Sequence, residues 1–275
     1  MAIVVRSSDR LSAQVFDKVR AWELLGTESQ HGLPATDGRV TVSIMEIEKT
    51  GQLTIETEPT ELVWLQILSG EALIDQLPTD TDHIVALGTG KSVEFRAVTD
   101  TRLFIARVPR AHDYDPNLPP EFCVRVDWST EPVLNSEHDT RKRIYLASPA
   151  LWGTDAVKGE MIIYPPGASG AEHHHIGAEH FQYIISGSGV AVLDGEEVLL
   201  HQGDLLYNFE NEPHWFHNPG ESDDMVFVEF FVPGASQTIW SPGANACGWV
   251  PTGLDAKGRE PARELKYHIH GEGKV

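Results

Sequence analysis

Gly167-Ala-Ser-Gly-Ala-Glu-His173-His174-His175-Ile-Gly-Ala-Glu179-His180-Phe-Gln182-Tyr-Ile-Ile-Ser-Gly187 concentrates imidazoles as no other part of the 275-residue chain does. An alternating run, Gly189-Val-Ala-Val-Leu-Asp-Gly195, follows it. A second segment, Gly203-Asp204-Leu-Leu-Tyr-Asn-Phe-Glu-Asn-Glu-Pro213-His214-Trp-Phe-His217-Asn218, completes the pattern. The flanks read as strands: Met161-Ile-Ile-Tyr164, Phe181 to Ile185, and Val226-Phe-Val-Glu-Phe-Phe-Val232. On a strand, residues i and i+2 share a face, roughly 6.6 Å apart. His173 and His175 therefore point the same way, and two imidazoles can converge on one ion. His214, about 40 residues on and past a turn, stands where a returning antiparallel strand would place a third ligand. Three nitrogens on one side of an ion leave the other side open to water, oxygen or substrate. That opening separates a reactive site from a structural one.

These residues resemble the two-part signature of the cupin family. Five residues separate Gly167 from the His173-x-His175 pair, and Gly187 closes the first motif. Five residues separate Gly195 from His201, which replaces the usual proline, and Gly203 follows in step. His214 and Asn218 keep the His-x-x-x-Asn ending. The resemblance covers both motifs and the spacer. It implies an all-β fold of jelly-roll barrels with a metal held by His173, His175, His214 and an acidic residue. At that acidic position the chain departs from the pattern. With six residues between it and Gly187 the position is His180; with three residues between it and His175 the position is Glu179. Neighbours on a strand face opposite ways, so only one of them points at the metal. We favour His180, because the glycine turn fixes the register, and Gln182 then faces the same cavity. Glu179 is the alternative, either as ligand or as a proton carrier. An all-imidazole set leaves a divalent ion its full charge and favours substrates that bind as anions. His174, His201 and His217 read as surface or packing residues, and Asp204 and Asn218 as turn residues.

The chain carries 21 Lys plus Arg against 41 Asp plus Glu, a formal charge of −20. Phosphate backbones require a basic patch, so nucleic acid is excluded as a partner, and anionic membrane surfaces with it. Hydrophobic residues make up 41%, enough for a sizeable core. Cys123 and Cys247 are the two cysteines and lack a Cys-x-x-Cys setting; so few in a long chain suggest a reducing compartment. Met1-Ala-Ile-Val-Val-Arg6 does not read as a signal peptide, and no apolar run is long enough to span a bilayer, so a cytoplasmic location is expected. A strand–Gly-x-Gly-x-x-Gly–helix setting and a Gly-x-Ser-x-Gly elbow are both missing, which argues against nucleotide binding and serine hydrolysis.

Asp9 to Leu25 reads as a short helix: Leu11, Val15, Val19 and Trp22 follow a 3–4 period and Gly26 can end it. From Val40 the pattern turns to alternating strands with turn signals between them, as in a sandwich or barrel. Ile67-Leu-Ser-Gly70 repeats Ile184-Ile-Ser-Gly187. Aligned on the glycines, Val63 takes the place of His180 and Leu62 that of Glu179, and the His-x-His pair has no counterpart. His83 is the one histidine in that barrel region, and one imidazole does not make a metal site. The chain thus resembles a double cupin: residues 1–112 a barrel without ligands, 113–140 a linker, 141–240 a metal-binding barrel, and 241–275 a tail packed on the barrels. In the charged run from Asn135 to Arg143, Arg141 and Arg143 read as part of a solvated face, with a place near the cavity mouth as the sharper option. His268-Ile-His270 in the tail reads as a plain terminal strand.

The resemblance implies a metalloenzyme. The leading expectation is an Fe(II) dioxygenase, with Mn, Ni or Zn also compatible with the donor set. It would cleave an enolisable or hydroxy-aromatic small molecule that chelates the ion, and a homodimer is expected. The alternative is an isomerase, lyase or decarboxylase in which the ion is a Lewis acid, or a non-catalytic binding protein.

Overall fold

The computed structural model describes residues 2–8, 13–26, 36–271 and 275. It is nearly all β, as the alternating patterns require, with short helices at Ala111–Tyr114 and Pro149–Trp152. The chain divides into two compact units, one of Ser8–Trp128 with Leu151–Ala156, the other of Met1–Ser7, Ser129–Ala150 and Val157–Val275.

The first unit has a seven-stranded antiparallel sheet ordered Cys123–Asp127, His83–Leu87, Leu62–Ser69, Thr101–Val108, Thr41–Ile47, Val19–Leu25 and Gln14–Phe16. A four-stranded sheet of Gln52–Glu56, Ser92–Ala97, Ala72–Ile74 and Leu77–Thr79 accompanies it. Inward-facing apolar residues of alternating strands, among them Val63, Leu65, Val85, Leu87, Phe95 and Ile105, form one dry cluster.

The second unit repeats this plan. Its nine-stranded sheet runs Ile3–Val5, Leu205–Asn208, Glu179–Ser186, Met225–Val232, Lys158–Tyr164, Lys142–Ala147, Pro132–Ser136, Gly248–Asp255 and His268–Ile269. Its five-stranded sheet runs Glu196–His201, Ser188–Leu193, His214–His217, His173–Ile176 and Gln237–Trp240. Ile184, Leu200, Leu206, Phe216 and Phe227 close its apolar end. Gly70 and Gly187 hold equivalent turns at φ +87° and +72°. A Cβ would strike the carbonyl of Asp100 at the first and of Asp224 at the second, so only glycine fits.

Three expectations are corrected. Residues 14–25 are not helical: Gln14–Phe16 and Val19–Leu25 form a hairpin turning at Asp17-Lys18, with Lys18 at φ 51°. Val19–Leu25 pairs along its length with Thr41–Ile47, and that ladder overrides a helical period carried largely by β-favouring Val and Trp. Residues 9–12 of the expected helix lie outside the described residues. The stretch 113–140 is not a plain linker, because Cys123–Asp127 extends the first unit's sheet and Pro132–Ser136 the second's. Nor is 241–275 merely packed on a barrel, since Gly248–Asp255 pairs with Pro132–Ser136 inside a sheet. Among the described residues no helix is long and apolar enough to cross a membrane.

Candidate metal centre

His173 and His175 project from one face of the strand His173–Ile176, and His173 lies directly opposite His214 on the next strand. Ring centroids are 4.9 Å apart for His173 and His175, and 4.6 Å for His173 and His214. One nitrogen from each of His173, His175 and His214 falls within 4.8 Å of the others. His180 joins from the strand Glu179–Ser186: its Nε2 is 3.2 Å from His214 Nε2, and its ring lies 4.8 Å from that of His175. Two nitrogens held about 2.1 Å from one ion at roughly right to tetrahedral angles stand about 3.0–3.4 Å apart. The His180–His214 separation fits that range.

Hydrogen bonds to the outer nitrogens settle which nitrogen is presented. His173 Nδ1 donates to the Ala171 carbonyl and His214 Nδ1 to the Glu212 carbonyl, each at 2.8 Å. Each bond leaves a lone pair on Nε2, the form a metal takes. His175 Nδ1 meets the Thr238 hydroxyl at 3.3 Å, while its buried Nε2 finds no protein partner. Phe231 stacks at 4.9 Å on His180 and edge-on at 4.9 Å against His175, fixing both rings. Burial pushes the pKa of His214 down to about 4. Burial, then mutual repulsion, holds those of His173, His175 and His180 well below the usual imidazole range. The rings are therefore kept neutral. The orphaned Nε2 of His175, the facing Nε2 atoms of His180 and His214, and suppressed protonation all fit a bound divalent cation.

The remaining candidates divide by strand face. Glu179 points away from the imidazoles and accepts a hydrogen bond from the Tyr207 hydroxyl, so it stands neither with the ligand cluster nor as a proton carrier beside it. Gln182 shares the face of His180; it accepts from Asn208 Nδ2 at 3.0 Å and donates to Glu229 Oε1 at 2.5 Å. Asn218 staples a turn through the Tyr164 and Asp223 carbonyls, and Asp204 accepts from the Ser7 and His201 backbone. His217 lies 3.8 Å from Glu197, and His83 lies 2.6 Å from Asp80 in the first unit.

The sequence reading missed Glu229 and undervalued His270. Glu229 lies 3.6 Å from His180 Nε2, and burial followed by the nearby Glu160 charge pushes its pKa up to about 8. An acidic residue inside the apolar run Val226–Val232 was the available signal. His270 lines one cavity with His173, His214, Arg141, Arg143 and Tyr164. Both arginines, expected in a solvated run, are buried there. Arg141 grips Asp139 and donates to the Tyr164 hydroxyl, whereas Arg143 pairs with Glu160 at 2.7 Å. The cavity holds about 30 Å³, room for little more than a water or a very small anion.

Residues 160–231 match the family model described as a cupin domain. A stretch of 59 residues is 36% identical to the oxalate-binding protein of Thermotoga maritima, covering 22% of this chain and 49% of that protein. The chain thus spans about half the length of the curated relative it matches. Among solved structures, the oxalate decarboxylase of Bacillus subtilis, in a study of its Mn(II) centres, superposes with a TM-score of 0.66 at 14% identity, over 86% of this chain and 78% of that one. A structure of oxalate decarboxylase concerned with an element that modulates proton-coupled electron transfer gives 0.67 at 15% identity, with the same coverage. At such identities the likeness is one of fold.

Proposed function

Starting from a chain whose C-terminal half carries a cupin domain, we propose a metal-dependent enzyme that acts on a small carboxylate-bearing anion, in the decarboxylase and lyase class. His173, His175, His180 and His214 would hold the ion, Mn(II) or Fe(II). When bound, the ion supplies a Lewis acid that draws a carboxylate or enolate oxygen and stabilises charge developing there. The observation that carries the reading is the pairing of uncharged ligands with a very small, arginine-walled cavity. Four neutral imidazoles leave the ion's charge uncompensated, so an anion is favoured at the open side. A volume near 30 Å³ is about a tenth of the smallest sites used by drug-sized ligands, which favours a substrate of a few atoms over an aromatic ring. Arg141 and Tyr164 supply polar groups to the cavity wall, and Trp240 and Phe227 supply apolar ones. Glu229, which lines the same cavity, is the carboxyl group placed to exchange a proton with the bound anion.

A second reading is the dioxygenase of an enolisable or hydroxy-aromatic substrate. It is favoured by a larger chamber of about 560 Å³ lined by Ala2, Val4, Leu193, Val198 and Asn208. Asn208, which lines that chamber, also has its Nδ2 3.4 Å from His180 Nε2. One comparison separates the two. The purified protein is assayed for metal, loaded with Mn(II) or Fe(II), and given oxalate and other small carboxylates without oxygen, then diketones and dihydroxy-aromatics with oxygen. Anaerobic release of carbon dioxide supports the first reading; substrate-dependent oxygen uptake supports the second. Tight carboxylate binding without turnover reduces the protein to a binding module.

A further inference from the structure

The C-terminal tail brings a fifth imidazole to the site, and its part follows from how one nitrogen is used. His270 is 6% exposed, lines the cavity described above, and has its ring centroid 5.7 Å from those of His173 and His175. Arg143 Nη2 stands 2.5 Å from His270 Nδ1. A guanidinium only donates, so Nδ1 must accept and the ring proton sits on Nε2. His173 and His214 are wired the opposite way: their Nδ1 protons go to backbone carbonyls and Nε2 presents a lone pair. Among the described residues no acceptor meets the Nε2–H of His270. Arg143 is itself committed, with Nε 2.7 Å from Glu160, Nη1 donating to the Tyr145 hydroxyl at 3.2 Å, and its plane 4.1 Å over the Trp249 ring. It is thus occupied in holding His270 rather than in gripping a ligand. A proton on Nε2 is wrong for coordinating a cation and right for meeting an oxygen of an anion on that cation.

We propose that His270 is a substrate-binding residue whose Nε2–H donates to an oxygen of a small carboxylate held at the imidazole cluster, with Arg143 as the positioning residue that sets its tautomer. This rests on the reading of the cluster as a metal site that takes a small anion.

The test uses the full chain loaded with Mn(II): wild type, His270→Ala and His270→Gln. Metal content is measured first, then oxalate is titrated as the probe, followed by calorimetry and by the Mn(II) electron paramagnetic resonance line shape. All three proteins should hold equal manganese. His270→Ala should bind oxalate about 10-fold more weakly or worse, the loss of one hydrogen bond to a charged group. His270→Gln, which keeps an N–H donor, should recover part of that loss. Unchanged oxalate affinity in His270→Ala at equal manganese would overturn the proposal and leave the metal reading standing. Loss of manganese from both variants would also overturn it, because His270 would then be a ligand or a support of the cluster. A wild-type protein that binds manganese but no oxalate, or no manganese, would remove the underlying reading and this one with it.

Discussion

The two units share a scaffold and differ in what fills it. Val63, Leu65, Leu87 and Ile105 of the first unit correspond, through strand register and the Gly70 and Gly187 turns, to His180, Gln182, Asn208 and Glu229 of the second. In one the four side chains belong to a dry apolar cluster. In the other they form a hydrogen-bonded polar chain: Gln182 to Glu229, Asn208 to Gln182, and Asn208 on to His180. Turn glycines and alternation are enough to specify this sandwich. The interior is then free to be hydrocarbon or polar, and only the polar version can do chemistry. That freedom has a cost, because every buried polar atom needs a partner.

The comparison breaks if the imidazoles do not act together. His175→Ala or His214→Ala should abolish stoichiometric metal binding, read by elemental analysis, while circular dichroism shows both proteins still folded. Next in size is the reverse graft into the dry interior. Ile105→Glu places an unpaired carboxyl among Val63, Leu65 and Val85 and should destabilise the first unit by about 4 kcal/mol, measured by denaturant titration. Copying the first unit into the second with Gln182→Leu, Asn208→Leu and Glu229→Ile together removes every partner of that hydrogen-bonded chain and should be neutral or stabilising, up to about 2 kcal/mol, with activity lost. Glu229→Ile alone leaves Gln182 without its acceptor and should cost about 1–3 kcal/mol.

A pH series sharpens the contrast at smaller amplitude. In the metal-free protein the clustered imidazoles have folded-state pKa values below the unfolded value of about 6.5, and His214 reaches about 4. The unfolded chain therefore takes up protons first on acidification. Stability should be full above about pH 7 and should fall as the pH drops from about 6.5 towards 4, with bound metal steepening the loss. His214→Ala should flatten that slope. At the bottom of the scale, His83→Ala should leave activity unchanged and stability within about 1 kcal/mol, because its Asp80 partner is half exposed.

The clustering of the candidate site's side chains was legible where chemistry and spacing coincide. His173, His175 and His214 follow from strand period and turn spacing, and the Gly187 turn put His180, not Glu179, on the inner face. The fold class was legible from alternation. Other parts were hidden for definite reasons. The Gln14–Leu25 hairpin carries apolar residues at a spacing that also suits a helix, and only its pairing with Thr41–Ile47 decides. Glu229 and Glu160 lie in runs that read as wholly buried strands, where a charge looks like an interruption. Arg143 and His270 are 127 positions apart in the chain, and no local pattern links them.

The strand Ile3–Val5 hydrogen-bonds to Leu205–Asn208, so the opening residues are spent on the later barrel, beyond the whole of the intervening one. Severing the polypeptide after Trp128 would therefore not yield two independent halves. The trailing fragment would emerge with Leu205–Asn208 as a bare rim, inviting another copy to dock there. Supplying the missing segment as a separate peptide should mend it, much as a lost zipper tooth is replaced.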